Sequence, residues 1–240
     1  MKNAFTKFAL GTAGLLMTAG IALAAPGYTF FGEADYVLPG FNSMRAVEMI
    51  SDDDPGFGGL DFDVAAGGTF ADLDSIATDF NATDCGGGSP RFQINVIDGN
   101  GDPKNIFAYI GDFPNYNCTT DTWLSSGDLL ETGKFVDTSQ VGGTFYDPYD
   151  TAVANYGALE VTGIQLVTDA SWLFGSQTVK ADNADIDGTV YTFEPSASEL
   201  KETCKKGGWM AFDGSDESGG FGPFKNQGQC VSTFAKMQND

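Results

Sequence analysis

The chain has 240 residues, with 33 acidic side chains against 12 basic ones, a formal net charge of −21 and no histidine. The missing histidine excludes Ser-His-Asp and Cys-His nucleophiles, His-ligated metals and imidazole proton shuttles. The acidic excess argues against nucleic acid and anionic membrane faces as partners, while 42% hydrophobic and 13% aromatic residues call for a packed core rather than a disordered acidic tail.

Residues 1–24 read as a secretory signal peptide. Lys2 and Lys7 form its positive start, residues 8–23 its apolar stretch, and Ala22-Leu23-Ala24 a small-x-small cleavage site. Gly11, Gly14 and Gly20 interrupt the apolar stretch, which is short of the ~20 residues a membrane-spanning helix needs. A mature chain starting at Ala25 is expected, secreted or extracellular (periplasmic in a cell with an outer membrane), monomeric and without a membrane partner. In an oxidising compartment Cys85, Cys118, Cys204 and Cys230 form an even set with three conceivable pairings. Cys85–Cys118 and Cys204–Cys230 are favoured, because each pair then lies within one segment of the chain.

From residue 25 to 195 the pattern is that of strands. Leu60-Asp61-Phe62-Asp63-Val64 alternates apolar and acidic, as a half-buried strand does. Phe92–Val96 and Ile106–Ile110 flank the turn-rich Asp98-Gly99-Asn100-Gly101-Asp102, predicting a hairpin. Leu159–Val167 is a further strand with a bulge at Gly163. Thr178–Asp182 and Thr189–Phe193, around Asp187-Gly188, form a last hairpin. Asp150–Ala158 allows one or two helical turns.

Composition shifts at Glu194-Pro195-Ser196. Residues 25–195 carry 27 of the acidic side chains and five basic ones; residues 196–240 carry six and five. Ser196-Ala197-Ser198-Glu199 is a capping-box pattern opening a helix over Ala197–Lys206, stopped by Gly207. Asn226–Met237 predicts a second helix, with Trp209 packed between the two. About 45 residues bury little core, so a Cys204–Cys230 staple makes physical sense. The expected organisation is a signal peptide (1–24), an all-β antiparallel jelly-roll-like β-sandwich (25–195) and a helical hairpin (196–240).

The stretch Gln177–Asn183 and Asp187–Phe193 resembles the closing strands of jelly-roll β-sandwiches of the carbohydrate-binding-module type. Cys85-Gly-Gly-Gly-Ser-Pro-Arg-Phe92 and the tail Cys204-Lys-Lys-Gly-Gly-Trp209 with Phe224-Lys-Asn-Gln-Gly-Gln-Cys230 resemble uncharacterised secreted bacterial proteins. The first resemblance implies a sandwich fold, often with a structural Ca²⁺ near its edge. The second implies export. Neither brings a catalytic residue.

Two oxygen-rich runs are candidate Ca²⁺ ligands, the only cofactor suggested. Asp98, Asn100 and Asp102 follow a D-x-N-x-D spacing that turns hard oxygens inward, although Pro103 and Tyr109 depart from the EF-hand loop. Asp182, Asp185 and Asp187, with Asn183, form the second set. If that run is extended, Asp182 faces opposite to the others, because strand neighbours alternate. Asp52-Asp53-Asp54 reads as a solvated loop. Carboxylate pairs for glycoside hydrolysis arise by chance among so many acids, and no hydrolase motif surrounds any of them. Sugar recognition needs flat aromatic faces beside amides and carboxylates. Trp123, Trp172, Tyr116, Tyr146, Tyr149 and Tyr156 sit in polar, turn-like surroundings, and Phe145–Asp150 has the composition of a binding loop. The function expected is a non-catalytic binding module for extracellular carbohydrate. The alternatives are a cell-envelope structural or interaction protein stabilised by Ca²⁺, and a carboxylate-dependent glycan hydrolase or lyase.

Overall fold

The computed structural model describes residues 27–53, 56–64, 67–215 and 218–237; the expected signal peptide and Asp54 of the acidic run lie outside them. Twelve strands and four α-helices are described: β1 (Tyr28–Val37), β2 (Ala46–Ser51), β3 (Gly58–Phe62), β4 (Ile76–Ala82), β5 (Arg91–Ile97), β6 (Pro103–Tyr109), β7 (Leu124–Ser125), β8 (Phe135–Val136), β9 (Asp147–Pro148), α1 (Tyr149–Tyr156), β10 (Glu160–Thr168), α2 (Ser171–Phe174), β11 (Gln177–Ile186), β12 (Thr189–Tyr191), α3 (Ala197–Lys205) and α4 (Gln227–Met237).

Ten of the strands form a jelly-roll-like antiparallel β-sandwich curled from one sheet, in the order β6-β5-β10-β3-β1-β2-β11-β4-β7, with β12 on β11, and β8 pairs with β9 in a separate two-stranded sheet. The curl is made at β1. Its first half pairs with β3 and its second half with β2. The switch falls at Gly32, whose φ of +61° only glycine adopts freely; a Cβ there would lie 2.2 Å from the Phe57 carbonyl oxygen. The two halves of the sheet thus face each other. Phe92, Ile94, Ile106, Leu60 and Ile164 from one layer meet Met49, Ile76, Phe80, Val179 and Ile186 from the other in a single buried cluster. Strict alternation in β5, where Phe92, Ile94 and Val96 are buried and Arg91, Gln93 and Asn95 are not, fixes which side chains reach the outer face.

The predicted hairpins are present: β5 pairs with β6 and β11 with β12. Asp187 and Gly188 hold φ of +53° and +77°, as a primed two-residue turn requires. The register of β10 on β5 shifts between Val161 and Gly163, which places the predicted bulge. The helix expected over Asp150–Ala158 is α1, two residues earlier at its end.

The C-terminal segment forms its own hydrophobic cluster. Ser196 Oγ accepts from the Glu199 backbone N–H while Glu199 accepts from that of Ser196, completing the capping box that opens α3. Phe234 of α4 is the hub, with Phe212, Phe221 and Phe224 at 4.9–5.9 Å between ring centroids. Trp209 packs on this cluster half-buried, in a 3-10 turn. Cys204–Cys230 joins α3 to α4, and Cys85–Cys118 joins two loops of the sandwich, so both expected pairings are present and no described cysteine is free. Two structural disulfides fit an oxidising compartment. Among the described residues no helix is long and apolar enough to cross a membrane.

Candidate functional site

A cleft of about 330 Å³ opens beside the outer face of β5 and β6, between the loop 86–88, helix α2 and the segment 137–145. Its construction begins with glycine. Gly87 and Gly88 hold φ of +65° and +83°, and side chains lie against their bare backbone. A Cβ on Gly87 would lie 2.9 Å from Trp172 Cζ2, and one on Gly88 would lie 3.3 Å from Tyr109 Cε1. The triple glycine therefore lets an indole and a phenol ring approach the same stretch of main chain from two sides.

The loop is pegged from beneath. Ser89 and Gln177 are both fully buried. Ser89 Oγ donates to Gln177 Oε1 at 2.6 Å and accepts from the Asp169 N–H at 3.0 Å, while Gln177 Nε2 donates to the Asp84 and Ser89 carbonyls. This node fixes the glycine loop relative to the turn that leads into α2. That helix is one turn long and is closed by Gly175 at φ +78°, so it presents Trp172 and Leu173 outward. Trp172 is 73% exposed.

The polar groups of the cleft are held as firmly. Arg91 Nη1 and Nη2 donate to the two oxygens of Asp169 at 2.6 and 2.7 Å, a bidentate pair, and Nη1 also donates to the Gly88 carbonyl. The guanidinium carbon lies 5.0 Å from the centroid of the Phe107 ring. Arg91 Nε is one of two buried side-chain polar atoms without a hydrogen-bond partner among the described residues. Asp137 accepts from the Tyr109 hydroxyl at 2.5 Å and from the Ser139 N–H. Burial, then this bond to Asp137, pushes the Tyr109 hydroxyl well above the usual phenol range, so Tyr109 stays a neutral donor. Phe145, 61% exposed, completes the far wall. Both carboxylates of the cleft are engaged in hydrogen bonds.

Of the six aromatic residues singled out from sequence, three lie on or beside this face. Trp172 lines the cleft, Tyr146 lies beside it, 6.5 Å from Tyr109 between ring centroids, and Tyr116 lies beyond it, 5.4 Å from Phe113. The other three are elsewhere. Trp123 is half-buried against Phe41 at 5.6 Å. Tyr149 packs edge-on to Phe70, and Tyr156 packs against the sandwich core. Rings in polar turns can face either way, and here tertiary neighbours turn these three inward. Arg91, Phe107, Tyr109, Asp137 and Asp169 were not anticipated. Arg91, Phe107 and Tyr109 read as ordinary alternating positions of β5 and β6, and Asp137 and Asp169 as acids just past a strand end; the usable signal was the triple glycine before Arg91, which asks what approaches its backbone.

The residues of the two expected Ca²⁺ sets are engaged in hydrogen bonds, and among the described residues no group of three or more His, Cys, Asp or Glu is placed to hold a metal. Asp98 accepts from the N–H groups of Asp102 and Asn100, which lower its pKa. Asp98, Asn100 and Asp102 thus lie in one hydrogen-bonded hairpin loop. In the second set the carboxylates organise two loops, 41–43 and 74–75. Asp182 is buried under residues 41–43, accepting from Ser43 Oγ and the Phe41 N–H; Asp185 accepts from Ser75 Oγ, and Asp187 from the Asp74 N–H. The register shift between Asp182 and Asp185, with Asn183 at φ +48°, separates the first from the others.

A second cleft, of about 410 Å³, lies between the sandwich and α3. It is lined by aliphatic groups such as Leu38, Met44 and Leu200, and its charged pair, Arg45 and Glu199, is closed on itself at 3.2 Å. It offers no free hydrogen-bonding array and reads as a packing seam.

No protein-family model and no curated protein matches the chain. Partial overlaps with solved structures exist. An exo-β-agarase is 14% identical, with a TM-score of 0.33 over 79% of this chain and 29% of its own length. A carbohydrate-binding module of the β-sandwich superfamily is 17% identical, with a TM-score of 0.29 over 67% and 57%. The xyloglucanase domain of a type three effector from Sinorhizobium fredii, solved with cellobiose, is 10% identical, with a TM-score of 0.32 over 70% and 95%. The chain spans less than a third of the agarase.

Proposed function

We propose that the protein is a secreted, non-catalytic module that binds extracellular carbohydrate in the cleft between Trp172 and Phe145. The observation that supports this is a pair of solvent-facing rings held apart over a floor that is already fixed. The glycine loop, Arg91 and Asp169 are tied to one another and to the buried Ser89–Gln177 node, and Tyr109 is tied separately to Asp137. Sugar rings have apolar faces and hydroxyl rims. Such ligands need aromatic planes for the faces and prepositioned donors and acceptors for the rims. A site whose groups do not have to be ordered on binding loses less affinity to conformational entropy.

Export fits the disulfides, and a strongly negative surface keeps such a module soluble. Affinity electrophoresis in gels cast with soluble neutral polysaccharides (xyloglucan, hydroxyethyl cellulose, galactomannan, agarose) tests the reading. Retardation by at least one polymer is expected. Trp172→Ala should weaken it on the order of tenfold, about 1.4 kcal/mol, with little change in melting temperature because the ring is exposed. Folded protein that no polymer retards would sink the proposal.

A further inference from the structure

Beyond Phe145 the aromatic surface continues. Phe145 to Tyr146 is 6.3 Å between ring centroids, Tyr146 to Phe113 is 4.6 Å at an interplanar angle of 89°, and Phe113 to Tyr116 is 5.4 Å. All four rings are exposed, Tyr116 by 73%. We infer that this ribbon is a second subsite, which takes consecutive units of an extended, uncharged polysaccharide chain whose adjoining units occupy the Trp172 cleft. The inference rests on the glycan-binding reading and names its substrate class.

Three observations carry it. The first is continuity: Phe145 belongs to the cleft wall and to the ribbon alike, and Tyr109 of the cleft lies 6.5 Å from Tyr146. A ligand reaching from one to the other crosses no gap.

The second is that the rings are exposed on anchored loops. Asn115, buried directly between Phe113 and Tyr116, donates to the Phe135 carbonyl at 2.9 Å and accepts from the Phe135 N–H at 3.1 Å. Asn117 Nδ2 donates to the Ser125 carbonyl at 2.7 Å. Gly111 lies so close to the disulfide that a Cβ there would be 3.0 Å from Cys85 Sγ, and Cys118 closes the loop onto the residue preceding the triple glycine. The loop bearing Tyr146 is gathered on Asp147, which accepts from the Thr138 hydroxyl and from the Thr144 hydroxyl and N–H. Large rings kept in water by well-bonded loops form an exposed apolar patch of the kind that marks a binding surface. The disulfide ties the ribbon to the cleft floor.

The third is charge. The one cation of the cleft, Arg91, is neutralised bidentately by Asp169, and Asp137 is bonded to a hydroxyl and an amide rather than to a cation. Asp112 and Asp147 flank the ribbon, in a chain of net charge −21. Uronate or sulfate groups laid along this surface would meet like charge without a free partner. Uncharged hydroxylated chains meet aromatic faces and hydrogen-bonding groups.

The test uses the full chain and whichever neutral polymer retards it. Calorimetric titration with size-fractionated oligosaccharides of that polymer is expected to show affinity rising at least tenfold from disaccharide to hexasaccharide. In Phe113→Ala/Tyr116→Ala the hexasaccharide should bind no better than the disaccharide; Tyr116→Ala alone, at the most exposed ring, should remove part of the gain. The same polymer with its primary hydroxyls oxidised to carboxylates should bind at least tenfold more weakly at low salt, with the gap narrowing as salt screens the repulsion. Equal affinity at all lengths, or a length gain that survives the double variant, overturns the ribbon and leaves the cleft standing. Undiminished binding of the oxidised polymer overturns the charge selectivity. Absence of binding to every polymer overturns both readings. A concentration-dependent dimer in sedimentation, abolished by the double variant, would assign the ribbon to a second copy and overturn the proposal.

Discussion

Replacing Gly87 by alanine asks whether the glycine loop is built for Trp172. The residue holds φ of +65°, and the new methyl group would lie 2.9 Å from Trp172 Cζ2 and 3.2 Å from Leu173 Cδ2. Two penalties are therefore combined: the left-handed backbone, roughly 1–2 kcal/mol for an L-residue, and displacement of the indole. Gly101 separates them. It holds φ of +87°, and a methyl group added there would have no atom within 4 Å, so Gly101→Ala carries the backbone penalty alone. For a chain of this size each kcal/mol lowers the midpoint by about 2–4 °C. Both variants should thus melt about 2–8 °C below the wild type, because an exposed indole moves outward without breaking the core. Affinity is where they part. Gly87→Ala is expected to weaken binding of the retained polysaccharide about tenfold, about 1.4 kcal/mol, and Gly101→Ala by less than twofold. Calorimetric titration reads the affinity. Intrinsic fluorescence, compared with that of Trp172→Phe, reads the ring among the three tryptophans of the chain. Equal affinity in the two variants would refute the claim that the glycine backbone positions Trp172. A much larger loss of stability in Gly87→Ala would give Trp172 a packing role instead.

Removing Cys85–Cys118 by double alanine substitution releases a loop of sequence separation 33, which should cost about 4 kcal/mol in the chain-entropy account and be read by urea denaturation. Phe234→Ala empties the hub of the C-terminal cluster and should cost about 3–5 kcal/mol, seen as earlier loss of helical ellipticity while the β signal persists. Asp182 carries a pKa raised by burial, against the lowering effect of the bonds from Ser43 and Phe41. The native state then holds its proton at a higher pH than the unfolded chain does. Stability from this group is accordingly gained as pH falls through its folded pKa toward the ordinary value of 3.8. Asp182→Asn lacks that gain, so the wild type should improve relative to it between pH 7 and pH 4 in melting experiments. A difference independent of pH would show that burial of Asp182 has no such effect.

Local signals in the sequence were legible where local chemistry decides structure. The capping box at Ser196, the Asp187-Gly188 turn and the alternation of β5 each have a short-range physical cause. The first, second and fourth strands were not anticipated. In β1 the reason is plain: Tyr28–Val37 changes partners at Gly32, so its burial pattern never settles into period two. The candidate site was half visible. Trp172, Phe145 and Tyr146 stood out as large rings in polar surroundings, but Trp123, Tyr149 and Tyr156 have the same surroundings and turn toward other parts of the protein. Phe107 and Tyr109 look like core in any strand; only the pairing of β6 with β5 and with the Asp137 segment shows which face they take. The D-x-N-x-D spacing is as good a recipe for a self-bonded turn as for a metal loop, and Asp98 accepts from the Asn100 and Asp102 N–H groups.

Asp137 has a consequence for how molecules of this protein behave toward one another. Its main chain exchanges two hydrogen bonds with Phe107, at 3.0 and 2.8 Å, along the outer edge of β6. An uncovered edge is a template onto which a strand of another molecule can add, and this short bridge covers part of it. The same residue holds the Tyr109 hydroxyl in the cleft. Loosening the cleft wall would therefore also bare part of the β6 edge. The amide protons of Phe107 and Asp137 would report both events by their rate of exchange with solvent.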